Sequence, residues 1–145
     1  MLKDRYEAAM RLEEFIEAAE KNQEMWREMY RRAEVPEDLV ERMRKLPSRR
    51  YLLVLLEDWC GDAFNTVPAI ARLAEAVPQL DLRVLRRDEN LDLMDQHLTG
   101  TSRAIPVVIV LDESFQELGW WGSRPKELQA WFLSEEAQAM SKDDR

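Results

Sequence analysis

The 145-residue chain predicts an α/β domain, a mixed sheet layered by helices, with an α-helical addition in front of it. Three observations carry this. Residues 51–56, YLLVLL, form an unbroken apolar run of strand length, as expected of a strand buried on both faces of a sheet. From that run onward the hydrophobic pattern alternates in the order β-α-β-α-β-β-α. Ahead of it, through residues 3–33, apolar residues recur at near-helical spacing instead.

Taken in order, Tyr6, Ala9, Phe15, Ile16, Ala19, Trp26, Met29 and Tyr30 fall close to a 3.6-residue period and predict one long amphipathic helix, loosened near Lys21-Asn22. Val35-Pro36 interrupts it, and Pro36 suits the first turn of a second helix with Leu39, Val40, Met43 and Leu46 on its apolar face. Together they make a helical hairpin over residues 1–48 that either covers a core or pairs two copies as a homodimer. The domain proper is expected over residues 49–140. Within it, residues 63–77 read as a helix kinked at Pro68, residues 80–85 as a strand, and residues 90–98 as a short helix closed by Thr99-Gly100. Residues 106–112 and 117–121 read as strands joined in a hairpin through Glu113-Ser114. Pro125 opens a terminal helix, and residues 141–145 form a frayed tail.

Hydrophobic residues make up 46% of the chain, enough to bury one sizeable core. Residues 1–50 carry twelve Lys/Arg against twelve Asp/Glu, so the whole net charge of −8 lies in residues 51–145. An acidic body of this kind disfavours nucleic acid and anionic membrane, which recruit clustered Lys/Arg. The start has no uninterrupted apolar segment of the secretory type, and residues 51–56 are too short to span a bilayer. A single cysteine excludes an intramolecular disulfide and a Cys-rich zinc site. A soluble, cytoplasmic protein without metal or cofactor is the expectation, in a compartment where a lone thiol persists.

Trp59-Cys60-Gly61-Asp62-Ala63 stands at the junction of the buried strand and the kinked helix. Here residues 50–133 resemble the thioredoxin superfamily. Trp59 precedes the cysteine as in the family's W-C-G-x-C signature, and Pro68 falls where the active-site helix is kinked. Ile105-Pro106 matches the cis-proline loop, and Gly122 the glycine after the last strand. The whole chain is most similar to bacterial proteins that put a helical segment before a W-C-G-D motif. The resemblance implies Cys60 as nucleophile and a binding groove lined by Trp59, Gly61, Ile105, Pro106, Trp121 and Gly122. Ile105 would pair its backbone with a substrate chain in the manner of an added strand.

Two departures shape the functional expectation. Ala63 stands in place of the resolving cysteine, and Val54 in place of the buried aspartate that serves the resolving step in dithiol members. Losing both is coherent, because a protein that does not resolve intramolecularly needs neither. The helix N-terminus favours a Cys60 thiolate, whereas the flanking Asp58 and Asp62 oppose a second anion. Asp62 reads equally as a helix-capping acid or as a modulator of the thiol. His97 reads as a partner for a helix C-terminus rather than a base for Cys60. Arg86, Arg87 and Arg103 read as solvated surface charge in preference to ligands for the carboxylates of a thiol tripeptide. The leading expectation is monothiol disulfide exchange with a protein or low-molecular-weight thiol, an external thiol resolving the mixed disulfide. A non-catalytic binding module using the same groove is the alternative. Glutaredoxin-like iron–sulfur binding comes third, because Glu57 and Asp58 occupy the place of that group's lysine.

Overall fold

The computed structural model describes residues 2–122. Its sheet has four strands, β1 (Arg50–Leu56), β2 (Leu80–Arg86), β3 (Val107–Leu111) and β4 (Glu117–Trp121), in the order β2-β1-β3-β4. β1 runs parallel to β2 and antiparallel to β3, and β4 lies antiparallel to β3, so the sheet is mixed. The parallel β1–β2 pair needs a crossover, and the helix α5 (Gly61–Ala76) supplies it. Strand alternation sorts the core into two layers. Leu52, Val54 and Leu56 face Val67, Ala71, Phe15 and Trp26. Leu53 and Leu55 face the other way, with Ile109, Leu111, Met94 and Tyr6. Residues 52–56 are fully buried, and at about 1.5–3 kcal/mol for each buried aliphatic side chain this run is a dominant part of the core. Val54 sits opposite Val84 and Val108, an entirely apolar position at mid-sheet.

The single long helix expected over residues 3–33 is three helices instead: α1 (Leu2–Ala8), α2 (Leu12–Ala18) and α3 (Gln23–Arg32). With α4 (Glu37–Met43) they make four short helices in place of a hairpin. Tertiary hydrogen bonds explain both breaks. Met10 forms an antiparallel bridge with Val84 on the outer edge of β2, its N–H donating to Val84 O at 3.1 Å and its carbonyl oxygen accepting from the Val84 N–H at 2.7 Å. Between α2 and α3, the Glu20 and Lys21 N–H groups donate to the Asp58 carboxylate, and Asn22 adopts a left-handed φ of 58°. The burial pattern nevertheless follows the expected period, with Tyr6, Ala9, Phe15, Ile16, Ala19 and Trp26 all turned into the chain's own core.

Elsewhere the differences are small. The helix expected over residues 90–98 is a 3-10 turn, Arg87–Glu89, followed by the single-turn α6 (Leu91–Met94). The β3–β4 hairpin turns over Asp112, whose carboxylate accepts the N–H groups of Ser114 and Gln116 while Phe115 takes a φ of 63°. The terminal helix expected from Pro125 and the tail lie outside the described residues.

Candidate functional site

Cys60 is the N-cap of α5, with extended backbone angles (φ −86°, ψ 116°) that turn the chain from β1 into the helix. Its side chain is partly buried where the two core layers meet. The Sγ–H points at the carbonyl oxygen of Ile105, 3.6 Å away across 45 residues of sequence. The peptide bond between Ile105 and Pro106 is cis, and both residues are buried at the start of β3. The thiol and the residue before the proline are thus brought together. Asp62 stands exposed in the first turn of α5, where a carboxylate complements the helix dipole. Ala63 is fully buried one residue later. Gly61 has room on its Cα side, the nearest atom to an added Cβ being Phe64 Cζ at 3.8 Å.

The two acids before Cys60 do not face the thiol as their sequence positions suggest. Both are 4% exposed and both are engaged elsewhere. Glu57 accepts from Arg86 Nη1 at 3.1 Å and from the Asp88 N–H at 3.0 Å. Asp58 accepts the Glu20 and Lys21 N–H groups at 2.9 and 3.1 Å, with Arg86 Nη2 at 3.8 Å. The Asp58 carbonyl accepts from Trp26 Nε1 at 2.9 Å and from Asn22 Nδ2 at 3.3 Å. Four donors of the N-terminal segment therefore converge on the residue two before Cys60. Arg86 also covers the Phe15 ring at 5.0 Å, so it is an internal counter-ion and not the solvated charge expected. Sequence reasoning missed this grouping. A pair of acids closing a fully apolar strand, with an Arg ending the next strand in parallel, was the available signal.

Trp59, 46% exposed, carries the Arg87 guanidinium at 5.0 Å from its ring centre. Arg87 Nη1 donates to Arg103 O at 3.1 Å, and its Nε to Asp88 at 3.0 Å. One side chain thereby ties the Cys60 loop to the segment leading to Pro106. Arg103 forms a bidentate pair with Asp95 at 2.8 and 3.0 Å, and this hydrogen bonding holds the Asp95 carboxyl below its ordinary range. Trp120 and Trp121 pack on opposite core layers, each partly buried. An added Cβ at Gly122 would lie 3.5 Å from Thr99 Oγ1. His97 is 1% exposed, with Nδ1 2.8 Å from Leu93 O and Nε2 2.7 Å from the Glu117 carboxylate, so both nitrogens are engaged. Among the described residues no group of three or more His, Cys, Asp or Glu is placed to hold a metal ion, and no helix is long and apolar enough to cross a membrane.

No curated protein matches the chain. Among solved structures it is similar to a Pseudomonas aeruginosa protein of unknown function, with 25% identity over 90% of this chain and 87% of that one and a TM-score of 0.72. It is similar in fold to an HIV epitope scaffold, with 23% identity, coverage of 92% and 88%, and a TM-score of 0.73. Mitochondrial thioredoxin 3 of Saccharomyces cerevisiae matches more distantly, with 19% identity, coverage of 65% and 86%, and a TM-score of 0.48. A family profile described as Thioredoxin matches residues 9–141, beginning inside the N-terminal helices and running past the last described strand. With that match over most of its length, on a mixed sheet that sets a cysteine at a helix start against an Ile-Pro loop, the chain belongs to the thioredoxin family.

Proposed function

We propose that the protein carries out thiol–disulfide exchange as a monothiol, with Cys60 as its nucleophile. The observation that supports this most directly is the approach of Cys60 Sγ to Ile105 O at 3.6 Å. A substrate chain paired along the residue before Pro106 brings its own sulfur to the same place. The Cys60 thiolate attacks one sulfur of the substrate disulfide. A Cys60–substrate S–S bond forms, the original S–S bond breaks, and the departing thiolate carries away the electron pair. Ala63 offers no second thiol and Cys60 is the sole cysteine, so an external thiol must attack the mixed disulfide and restore Cys60. Trp59 supplies apolar contact area beside the thiol, and Gly61, Trp121 and Gly122 line the rest of the groove in this reading. Asp62 modulates the thiol from the first helical turn. The partner is a protein or small-molecule disulfide, met in the cytoplasm.

The test is turnover of hydroxyethyl disulfide, a neutral substrate, with an external thiol as resolvent. The wild type is expected to form a reversible mixed disulfide, seen as intact mass, and to accelerate exchange, while Cys60→Ser does neither. Protection of Cys60 from both the disulfide and iodoacetamide in the folded protein would overturn the reading and leave a binding module.

A further inference from the structure

Among the described residues, each arginine tied to the neighbourhood of the thiol is matched by an acid. Arg86 is held by Glu57 and Asp58, Arg103 by Asp95, and Arg87 by Asp88 and the Trp59 face. Asp62, two residues past Cys60, stands exposed in the first turn of α5, and among the described residues its carboxylate has no partner. Asp58 does not compete for this role, being buried and turned toward the N-terminal segment. The part of the sequence that contains the site carries the same sign, residues 51–145 holding the whole net charge of −8.

We propose that Asp62 is a specificity residue that selects disulfides flanked by cationic groups, above all cysteines set among Lys or Arg in a protein chain. This rests on Cys60 being the exchanging thiol and adds the class of substrate. A cation beside the attacked sulfur meets the open Asp62 carboxylate in the first turn of α5, and among the described residues each arginine tied to the thiol's surroundings is already paired. In the exchange a Cys60–S bond forms with the cationic half and the substrate S–S bond breaks. The other half leaves as thiolate with the electron pair, taking a proton from water. Exposed Trp59 offers a second contact to a peptide that a small aminothiol disulfide does not reach.

The experiment measures second-order rates of mixed-disulfide formation at Cys60, by intact mass, with cystamine (cationic), hydroxyethyl disulfide (neutral) and dithiodipropionate (anionic). The cystamine-to-dithiodipropionate ratio is compared among wild type, Asp62→Asn and Asp62→Lys. Any general effect of the substitution on thiolate content cancels in that ratio. It is expected to fall about three- to tenfold in Asp62→Asn and further in Asp62→Lys, as one unit charge at this range implies. In the wild type it should also fall as salt rises from about 10 to about 500 mM. A ratio unchanged by both substitutions, with all three disulfides reacting, overturns this inference and leaves the exchange reading standing. Inertness toward all three overturns both. A lysine-flanked peptide disulfide reacting faster than cystamine assigns the preference to protein chains, and the reverse order assigns it to small amines.

Discussion

Arg86 joins α2 to the end of β1, lying over Phe15 while its two nitrogens reach Glu57 and Asp58. Both acids are almost wholly withdrawn from water. A buried ion pair adds little over a well-packed apolar pair, but breaking it by removing one partner is costly because an uncompensated charge stays behind. Arg86→Met keeps most of the length and removes the cation, so we expect a loss of about 3–5 kcal/mol in urea unfolding. A cost below about 1 kcal/mol would mean that the N–H donors at Glu20, Lys21 and Asp88 suffice to hold the two carboxylates. At this scale the sequence was informative about identity and silent about direction. Cys60 and Pro106 were legible as a pair because their motifs have fixed neighbours. The orientation of Asp58 was not, since its partners lie 37 and 38 residues upstream and leave no local pattern.

Strand elements were legible to within a residue or so, because residues 51–56 and 107–111 are apolar on both faces and have no other stable placement. The N-terminal helices were legible only as a buried face. Periodicity reports which side chains turn inward, and it carries across a break when the segments on either side pack on the same sheet. The bridge from Met10 to Val84 is a contact across the fold that no window along the chain contains. α1 is fastened beside it by Tyr6, whose phenol donates to Asp81 and whose ring sits 5.3 Å below Arg83. Burial, and then the bond to and charge of Asp81, push the Tyr6 phenol above its ordinary 10.0. The folded chain therefore keeps this proton at a pH where the unfolded chain has released it, and stability drains away as pH rises past about 10. Tyr6→Phe lacks that loss. We expect the variant to be less stable than wild type by about 1.5–3 kcal/mol at pH 8. The gap should narrow by about 1.4 kcal/mol by pH 11, read by urea unfolding at each pH. A gap constant across that range would mean that the phenol titrates alike in both states.

For the molecule as a whole, the decisive arrangement is that the N-terminal helices do not form a core of their own. Leu12, Phe15, Ile16, Trp26, Val40 and Met43 share one apolar cluster with Leu52, Val54 and Leu56 of β1 and with Val67 and Leu73 of α5. Trp26 alone contributes a fully buried ring, packed edge-on against Phe15 at 5.3 Å and Phe64 at 6.1 Å, and it donates to the strand end just before Cys60. A segment that buries its apolar face against the sheet and α5 gains its stability from them, since isolated helices of seven to ten residues are marginal in water. The same contacts leave the helix α5 and the Cys60 loop without one wall if the segment detaches. Unfolding should therefore be a single cooperative event that includes α3. Under native-state hydrogen exchange with rising denaturant, the interior amides of α3 should converge on the same opening free energy as those of β1, within about 1 kcal/mol. Amides of α3 that exchange several kcal/mol more easily than β1 would instead describe a detachable cover, and Cys60 would then be expected to react with iodoacetamide at the rate of that opening rather than directly from the folded state.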